Sequence, residues 1–353
     1  MTSVRPLSLE HRSAIPLAGP MTPRDFQRLH VPRAAEWADY FVLSRELLGA
    51  AERGRFYRAV KTGDLVRVRS GIYLPGGIWA PLSVDDRHLV RLRAAALASA
   101  TPLVFGGMSA AALWRLPVIG QWPGRPIVLA ERAAGGRSAH SLERRCEGLP
   151  DVVWVVEGLA ATGLARTAVD VARFERFGGA VAMADFALAP KPLGLGALSQ
   201  SVQKPELAAE LAARELVHGQ AKVVAVIGFS DGDSGSAGES ISRVAAYRLG
   251  FPRPVLQHPF RDSLGEMFTD FWWPDFRLVG EFDGRGKYLR EEYARGRSTA
   301  EIVLAEKRRE DRLRALGPGV VRWGWAEAMN APALRRAVLA AGLPVQAVPR
   351  VPG

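Results

Sequence analysis

The sequence predicts a mixed α/β protein, and three observations lead to that fold class. The chain has 353 residues, which is enough for two domains or one large one with a substantial core. Segments with helical apolar spacing alternate with short apolar runs that are typical of strands. The polar stretch SDGDSGSAG at 230–238 has the composition of a flexible linker, so we expect a domain boundary there.

The composition is that of a globular protein with an excess of basic residues. Hydrophobic residues make up 48% and charged residues 24%, while the formal net charge is +11. This excess favours polyanionic partners, nucleic acid first, although an arginine-rich, high-GC genome would give the same composition. Cys146 is the only cysteine, which excludes an intramolecular disulfide and a cysteine-based zinc site. Without a signal peptide or an apolar run of about 18 residues, the chain is expected to be cytoplasmic and to have no membrane partner.

The N-terminal part predicts a small DNA-binding domain behind a disordered arm. Residues 1–40 are rich in Pro, Arg and Ser and have little periodicity, which favours disorder. Within 41–82, a helix opening at Ser44, a second helix and a hairpin of two short strands give the outline of a winged helix. Arg67 and Arg69 alternate with valines, so both guanidiniums are expected on one face, where they could contact phosphates. A structural hairpin with solvated arginines is the alternative.

The hairpin sequence LVRVRSGIYL at 65–74 is the part that resembles a known family. Together with the two preceding short helices, it resembles the N-terminal winged-helix domain of AbiEi-type antitoxins. The resemblance implies a DNA-binding repressor, with a cognate toxin as a possible second partner beside DNA.

Residues 83–229 predict a mixed α/β segment that carries no evident chemistry. Its expected elements are helices at 84–100, 105–116, 164–174, 180–188 and 206–217, and strands at 127–130 and 152–156. Arg166 and Asp170 are four residues apart, which favours an ion pair along a helix.

The C-terminal domain, 239–345, has the predicted order α-β-β-β-α-β-α and contains the candidate site. In its hairpin, Asp270 follows an apolar run, while Glu281 and Asp283 close the next strand on one face. Lys287 lies just beyond. Three acids this close raise one another's pKa unless a cation lies among them, which predicts a Mg²⁺ or Mn²⁺ site.

That order of elements resembles the restriction-endonuclease-like PD-(D/E)xK fold, an α/β sandwich. The closest likeness is to the branch related to very-short-patch-repair endonucleases. The stretches that carry it are Gly238-Glu239-Ser240, Asp270-Phe271 with Pro274, Glu281-Phe282-Asp283-Gly284, EKRREDRLRALG at 306–317 and VVRWGW at 320–325. The resemblance implies a metal held by Asp270 and Glu281, with Glu239 as a supporting acid. The family's lysine position is occupied by Asp283, so Lys287 or Lys307 would have to supply that charge.

The basic helix near 306–314 is the second candidate surface for nucleic acid. Lys307, Arg309 and Arg312 could contact backbone phosphates, since Arg309 and Arg312 share a helix face. Glu306–Arg309 and Glu310–Arg314 ion pairs are an equally good interpretation. The tryptophans of this domain are expected mainly in the core, and His258 is expected to be hydrogen-bonded rather than functional.

Two functions follow from these features. The first is a DNA-binding, metal-dependent endonuclease, an endodeoxyribonuclease that hydrolyses phosphodiester bonds. The second is a non-catalytic DNA-binding regulator or antitoxin whose nuclease-like domain is degenerate. An RNA-binding module is compatible with the charge, but the sequence has no RNA-recognition signature.

Overall fold

The computed structural model describes residues 40–47, 49–131, 141–190, 200–214, 216, 218–284 and 299–346, and the chain divides into two compact units. Unit 1 comprises Met1–Leu116 and Gly120–Val171, and unit 2 comprises Pro117–Ile119 and Ala172–Gly353. Both parallel and antiparallel strands occur together with helices, which confirms the mixed α/β class. None of the described helices is long and apolar enough to cross a membrane. The expected disordered arm falls almost wholly outside the described residues.

Unit 1 begins with a three-stranded antiparallel sheet in the order β1-β3-β2. One α-helix comes before the β2–β3 hairpin in the chain. The elements are β1 (Val42–Leu43), α1 (Ala50–Thr62), β2 (Leu65–Arg69) and β3 (Ile72–Pro75). The predicted hairpin is therefore confirmed, and α1 ends at Gly63, whose φ of 85° suits glycine. The helix expected at Ser44 is instead a single 3-10 turn, Ser44–Glu46, which has no side-chain cap. Leu43, Ile72 and Leu74 are buried with Val90 in the local core.

The rest of unit 1 is built on a five-stranded sheet in the order β6-β5-β4-β8-β7. Its strands are β4 (Val104–Phe105), β5 (Ile127–Leu129), β6 (Glu143–Arg145), β7 (Trp154–Val156) and β8 (Leu159–Ala161), and its helices are α2 (Gly76–Trp79), α3 (Val84–Ala98), α4 (Gly107–Leu113) and α5 (Leu164–Phe174), which leads into unit 2. Ser83 caps α3 by accepting a hydrogen bond from the Asp86 amide. The predicted Arg166–Asp170 pair is confirmed at 3.1 Å.

Residues 230–238 form a packed part of unit 2 and not the expected linker. Four helices lie around this stretch: α6 (Phe177–Leu188), α7 (Lys204–Ala212), α8 (Gln220–Phe229) and α9 (Ala237–Arg248). The Asp231 amide donates to Asp185 at 2.7 Å, and the hydroxyls of Ser234 and Ser240 are 2.9 Å apart. Ser236 caps α9. The small polar residues serve buried hydrogen bonds and a helix cap, a use that composition does not distinguish from a flexible linker.

The C-terminal part of unit 2 has a four-stranded sheet in the order β12-β11-β10-β9, with only the β11–β12 pair parallel. Its elements are β9 (Val255–Asp262), β10 (Gly265–Trp273), β11 (Leu278–Phe282), α10 (Thr299–Ala315), β12 (Gly319–Trp323), α11 (Trp325–Ala328) and α12 (Ala331–Ala340). The predicted order α-β-β-β-α-β-α is confirmed, with the short α11 added. A 3-10 turn, Pro274–Phe276, joins β10 to β11.

One face of this sheet carries the aromatic core of unit 2. Phe271, Trp273, Phe282 and Trp323 are buried, together with apolar residues of α9 and α12. Because side chains alternate along a strand, the residues directly before and after these aromatics face the other side of the sheet. Asp270 and Glu281 are two of them.

Candidate functional site

Two buried acids lie side by side on neighbouring strands of the C-terminal sheet. Phe271 pairs with Gly280 across β10 and β11, so the next opposed positions are Asp270 and Glu281. Only 8% of Asp270 and 7% of Glu281 is exposed. A carboxylate oxygen of Asp270 accepts a hydrogen bond from the Phe282 amide at 2.7 Å. Like charges directly opposed in a sheet are destabilising, so this pair requires a cation or a proton.

The raised pKa of Glu281 reflects this need for a cation or a proton. Burial, and next the neighbouring charge of Asp270, raise the pKa of Glu281 to about 7, although Arg309 and Arg322 oppose the shift. Glu281 therefore holds a proton far more readily than an exposed glutamate at neutral pH. A bound divalent ion would favour its ionised form.

Arg309 on α10 is a cation in direct contact with the pair. Its two terminal nitrogens donate to the two carboxylate oxygens of Glu281, each at 3.1 Å, and one also donates to the Phe268 carbonyl. The Glu306–Arg309 pair that the sequence offered as an alternative is present at 3.6 Å. Arg309, expected to contact DNA phosphate, is thus held within the acid site.

The other two basic residues predicted to contact DNA from this helix, Arg312 and Lys307, have different surroundings. Arg312 donates to both carboxylate oxygens of Asp262, at 2.6 and 2.7 Å, and these hydrogen bonds lower the pKa of Asp262 to about 2. Lys307 is exposed. The second expected pair, Glu310–Arg314, is also present, at 2.8 Å.

Among the described residues, three donors hold Glu239 in the first turn of α9. The Gly235 amide and the Ser236 hydroxyl each donate at 2.8 Å, and the Gln257 side-chain amide donates at 3.3 Å. Gly238 makes this arrangement possible, because a Cβ there would lie about 2.0 Å from the ring of Phe282. The sequence prediction named Glu239 but not Gln257.

Gln257 connects Glu239 to the acid pair. Its neighbours Leu256 and His258 pair with Phe271 and Thr269, which places Gln257 opposite Asp270 across β9 and β10. Its φ is 47°, a left-handed conformation that is rare for a non-glycine residue inside a strand. Only the three-dimensional structure reveals this residue, because a glutamine in a strand carries no special signal.

Within the described part of the chain, none of the remaining predicted residues joins the pair. Asp283 follows β11 and is half-buried, and its amide donates to the Trp323 carbonyl at 2.8 Å. Lys287 lies outside the described residues. His258 stacks on Trp272, with ring centroids 5.6 Å apart. Among the described residues, no group of three or more His, Cys, Asp or Glu side chains is arranged to hold a metal ion, so the expected gathering of three acids is replaced by a pair.

The pair nevertheless fits a hard divalent cation. Mg²⁺ prefers carboxylate oxygens and is commonly held by one or two carboxylates, with water and substrate phosphate completing its shell. Asp270 and Glu281 supply two such groups on adjacent strands. An ion binding both acids would compete with Arg309 for the oxygens of Glu281.

A basic surface of unit 1 adds a second candidate region. Basic side chains are exposed along α1 and on β2, together with one aromatic ring: Arg53, Arg55, Tyr57, Arg58, Lys61 and Arg67. The spacing of three between Arg55, Arg58 and Lys61 could have predicted this face. Arg69 differs from Arg67, because a register irregularity separates them and Arg69 donates to the Ser141 hydroxyl at 2.6 Å.

Comparisons with known proteins give relatives but no activity. No family model matches the chain, and no solved structure matches it. Two uncharacterized proteins of Mycobacterium tuberculosis, from strains CDC 1551 / Oshkosh and ATCC 25618 / H37Rv, are each 37% identical over 130 residues. The match covers 36% of this chain and 44% of each relative, so the chain spans less than half the length of either.

Proposed function

We propose that this chain is a cytoplasmic, DNA-binding endodeoxyribonuclease whose unit 2 hydrolyses phosphodiester bonds with Mg²⁺ or Mn²⁺. The observation that carries the proposal is the buried pair of Asp270 and Glu281 on adjacent strands. Two acids in such a position weaken the fold unless they serve a cation, and strongly perturbed carboxylates are typical of functional sites.

The chain's own residues have distinct parts in this reaction. Asp270 and Glu281 would hold the divalent ion, and the buried sheet face behind them excludes water. Glu239, with Gln257, supports the position of β9 beside Asp270. When bound there, a divalent ion would supply polarisation of the scissile phosphate and a lower pKa for the attacking water.

DNA binding is supported by the exposed basic face of α1 and β2. Phosphate contacts contribute most of the sequence-independent affinity of DNA-binding proteins, and arginine and lysine make most of them. The winged-helix outline has two helices before a basic hairpin. The chain has the second helix, α1, and the hairpin, with the 3-10 turn Ser44–Glu46 in place of the first helix.

Cleavage of supercoiled plasmid with Mg²⁺ or Mn²⁺ tests the nuclease. Asp270→Asn and Glu281→Gln are expected to lose more than about a hundredfold in rate, because outer-sphere partners of a metal alone commonly contribute roughly 10- to 100-fold and these two acids would bind the ion directly. Asp275→Asn is the matched control, because Asp275 is exposed on the same hairpin. Calorimetric titration of Mn²⁺ into wild type and Glu281→Gln separates metal binding from chemistry. An inactive wild type, or an active Asp270→Asn, rejects the proposal.

A second candidate is a DNA-binding regulator of the antitoxin type, with a cognate toxin as partner and no catalysis. Two observations favour it: Arg309 engages both oxygens of Glu281, and Asp283 stands where a lysine is expected. Gel shifts with the region upstream of its own gene, at rising salt, test this candidate. Salt-sensitive binding without cleavage supports the regulator, whereas Asp270-dependent cleavage rejects it.

A further inference from the structure

Arg309 and Glu281 form a two-point contact in unit 2. One terminal nitrogen of Arg309 donates to each carboxylate oxygen of Glu281 at 3.1 Å. This fork geometry engages the same oxygens that a metal ion would use. Arg309 and a divalent ion are therefore alternative partners of Glu281.

A divalent ion at the pair would carry a charge of the same sign as Arg309. Asp270 and Glu281 can carry two negative charges, and the positive charges of Arg309 and Arg322 both act on Glu281. Glu306, 3.6 Å from Arg309, adds a further acid on α10. A divalent ion on the pair would offset both buried acids and would repel the guanidinium at close range. Binding of the ion thus supplies the force that moves Arg309.

The Arg309 side chain is also accessible from solvent. It is 25% exposed. By comparison, the side chain of Arg243, which pairs with the buried Asp185, is only 10% exposed. Arg322 on β12 reaches Glu306 at 2.9 Å and Glu310 at 3.0 Å, so α10 keeps other contacts with the sheet. Arg309 can release Glu281 without the helix leaving its place.

We propose that Arg309 exchanges partners: it neutralises Glu281 before metal binds, and it donates to a DNA phosphate once a divalent ion holds the acid pair. Arginine suits both partners, because its planar fork matches carboxylate and phosphate equally. This exchange rests on the proposed nuclease function and names the residue that couples metal binding to phosphate binding.

The first test is calorimetric titration of Mn²⁺ alone into the full chain. Arg309→Gln is expected to bind Mn²⁺ about tenfold more tightly than wild type, because the ion no longer displaces a charged hydrogen-bonding partner. Arg309→Lys should gain less Mn²⁺ affinity, because lysine keeps the positive charge but lacks the two-point hydrogen bond to Glu281. If Arg309→Gln does not fold, Arg309→Lys takes its place in the test. Arg314→Gln is the matched control: Arg314 lies on the same helix, is 51% exposed and pairs with Glu310. Its Mn²⁺ affinity should equal that of wild type.

The second test measures DNA affinity without metal. Glu281→Gln releases Arg309 and should raise the affinity for a short duplex about tenfold, and adding Arg309→Gln should abolish that gain. Adding Arg314→Gln instead should keep the gain. Because no metal is present, a change in cleavage does not enter the measurement.

The possible failures are distinct. If wild type binds Mn²⁺ and Arg309→Gln binds it equally or more weakly, the exchange is overturned while the nuclease proposal stands. If neither protein binds Mn²⁺, the nuclease proposal fails and the exchange fails with it. The wild-type titration alone identifies that second case.

Discussion

Gln257 has a left-handed backbone inside strand β9, with φ of 47°, beside the acid pair. Such a conformation costs a non-glycine residue roughly 1–2 kcal/mol, and strained residues of this kind cluster at functional sites. The hydrogen bond from Gln257 to Glu239 is a contact that this conformation allows.

Comparing two substitutions isolates the strain at Gln257. Both Gln257→Gly and Gln257→Ala remove the hydrogen bond to Glu239, but only glycine relieves the backbone. We therefore expect the glycine variant to be about 1 kcal/mol more stable than the alanine variant in urea unfolding. A glycine variant less stable than the alanine variant would contradict a strained Gln257.

His88 on α3 is a buried histidine in unit 1 with an unusual environment. It is 0% exposed and stacks on Trp122, with ring centroids 4.9 Å apart. Within the described part of the chain, neither ring nitrogen has a hydrogen-bond partner. Burial, and next the charge of Arg91, lower the pKa of His88 to about 4.

This histidine predicts a loss of stability in acid. A histidine with a folded pKa below its unfolded value of about 6.5 destabilises the fold as pH falls from 6.5 towards 4, because the unfolded chain binds the proton first. Between pH 7 and pH 5 the expected loss is about 2 kcal/mol, measured by urea unfolding. His88→Phe keeps the stacked ring and should remove that loss. His258→Phe, at a half-buried stacked histidine, should retain it, and an unchanged pH dependence in His88→Phe would contradict the assignment.

At the scale of elements, the packing of α9 on β11 depends on one glycine. A Cβ on Gly238 would lie about 2.0 Å from the ring of Phe282, which adjoins Glu281 on β11. The first turn of α9 also holds Glu239, so the close approach brings that acid to the sheet.

Gly238→Ala should therefore destabilise unit 2 by roughly 2–3 kcal/mol, as overpacking of a core does. Gly228→Ala is the contrasting variant, because Gly228 also lies in a helix and a Cβ there meets nothing within 4 Å. It should be neutral or stabilise by about 0.5–1 kcal/mol, since alanine is the better helix former. Thermal unfolding measures both, and equal effects would contradict the contact.

At the scale of the whole molecule, the two candidate regions lie in separate compact units. The basic face of α1 belongs to unit 1, and the acid pair belongs to unit 2. Under the proposed function, substitutions on the basic face of α1 should therefore change DNA affinity without altering the acid pair.

Replacing both Arg55 and Arg58 by glutamine should weaken DNA binding and reduce the slope of log affinity against log salt by about 2, one for each lost phosphate contact. The matched control replaces the exposed pair Arg335 and Arg336 of α12 by glutamine. Fluorescence anisotropy with a labelled duplex at several salt concentrations provides the slopes. Equal slopes in the two double variants would show that DNA does not contact this face of α1.

Much of the C-terminal fold could be predicted because its signals are local. The apolar runs of β10 and β11 and the turn between them were visible in the sequence, and they placed Asp270 and Glu281 on the neighbouring strands where the structure has them. The strands β4, β6 and β8 were missed, because runs of two or three residues carry too little periodicity. The supposed linker at 230–238 was misread because capping and buried serines have the same composition as a flexible loop.

The sequence by itself determined the mixed α/β class, the order of the C-terminal elements and the two acids, because strand alternation and turn residues act over a few neighbours. Only the tertiary structure decided which partner each charge has. It set Arg309 on Glu281, Arg312 on Asp262 and Gln257 beside Glu239, across separations of 28, 50 and 18 residues. Such contacts depend on strand register and on how α10 lies on the sheet, and neither is encoded in local spacing.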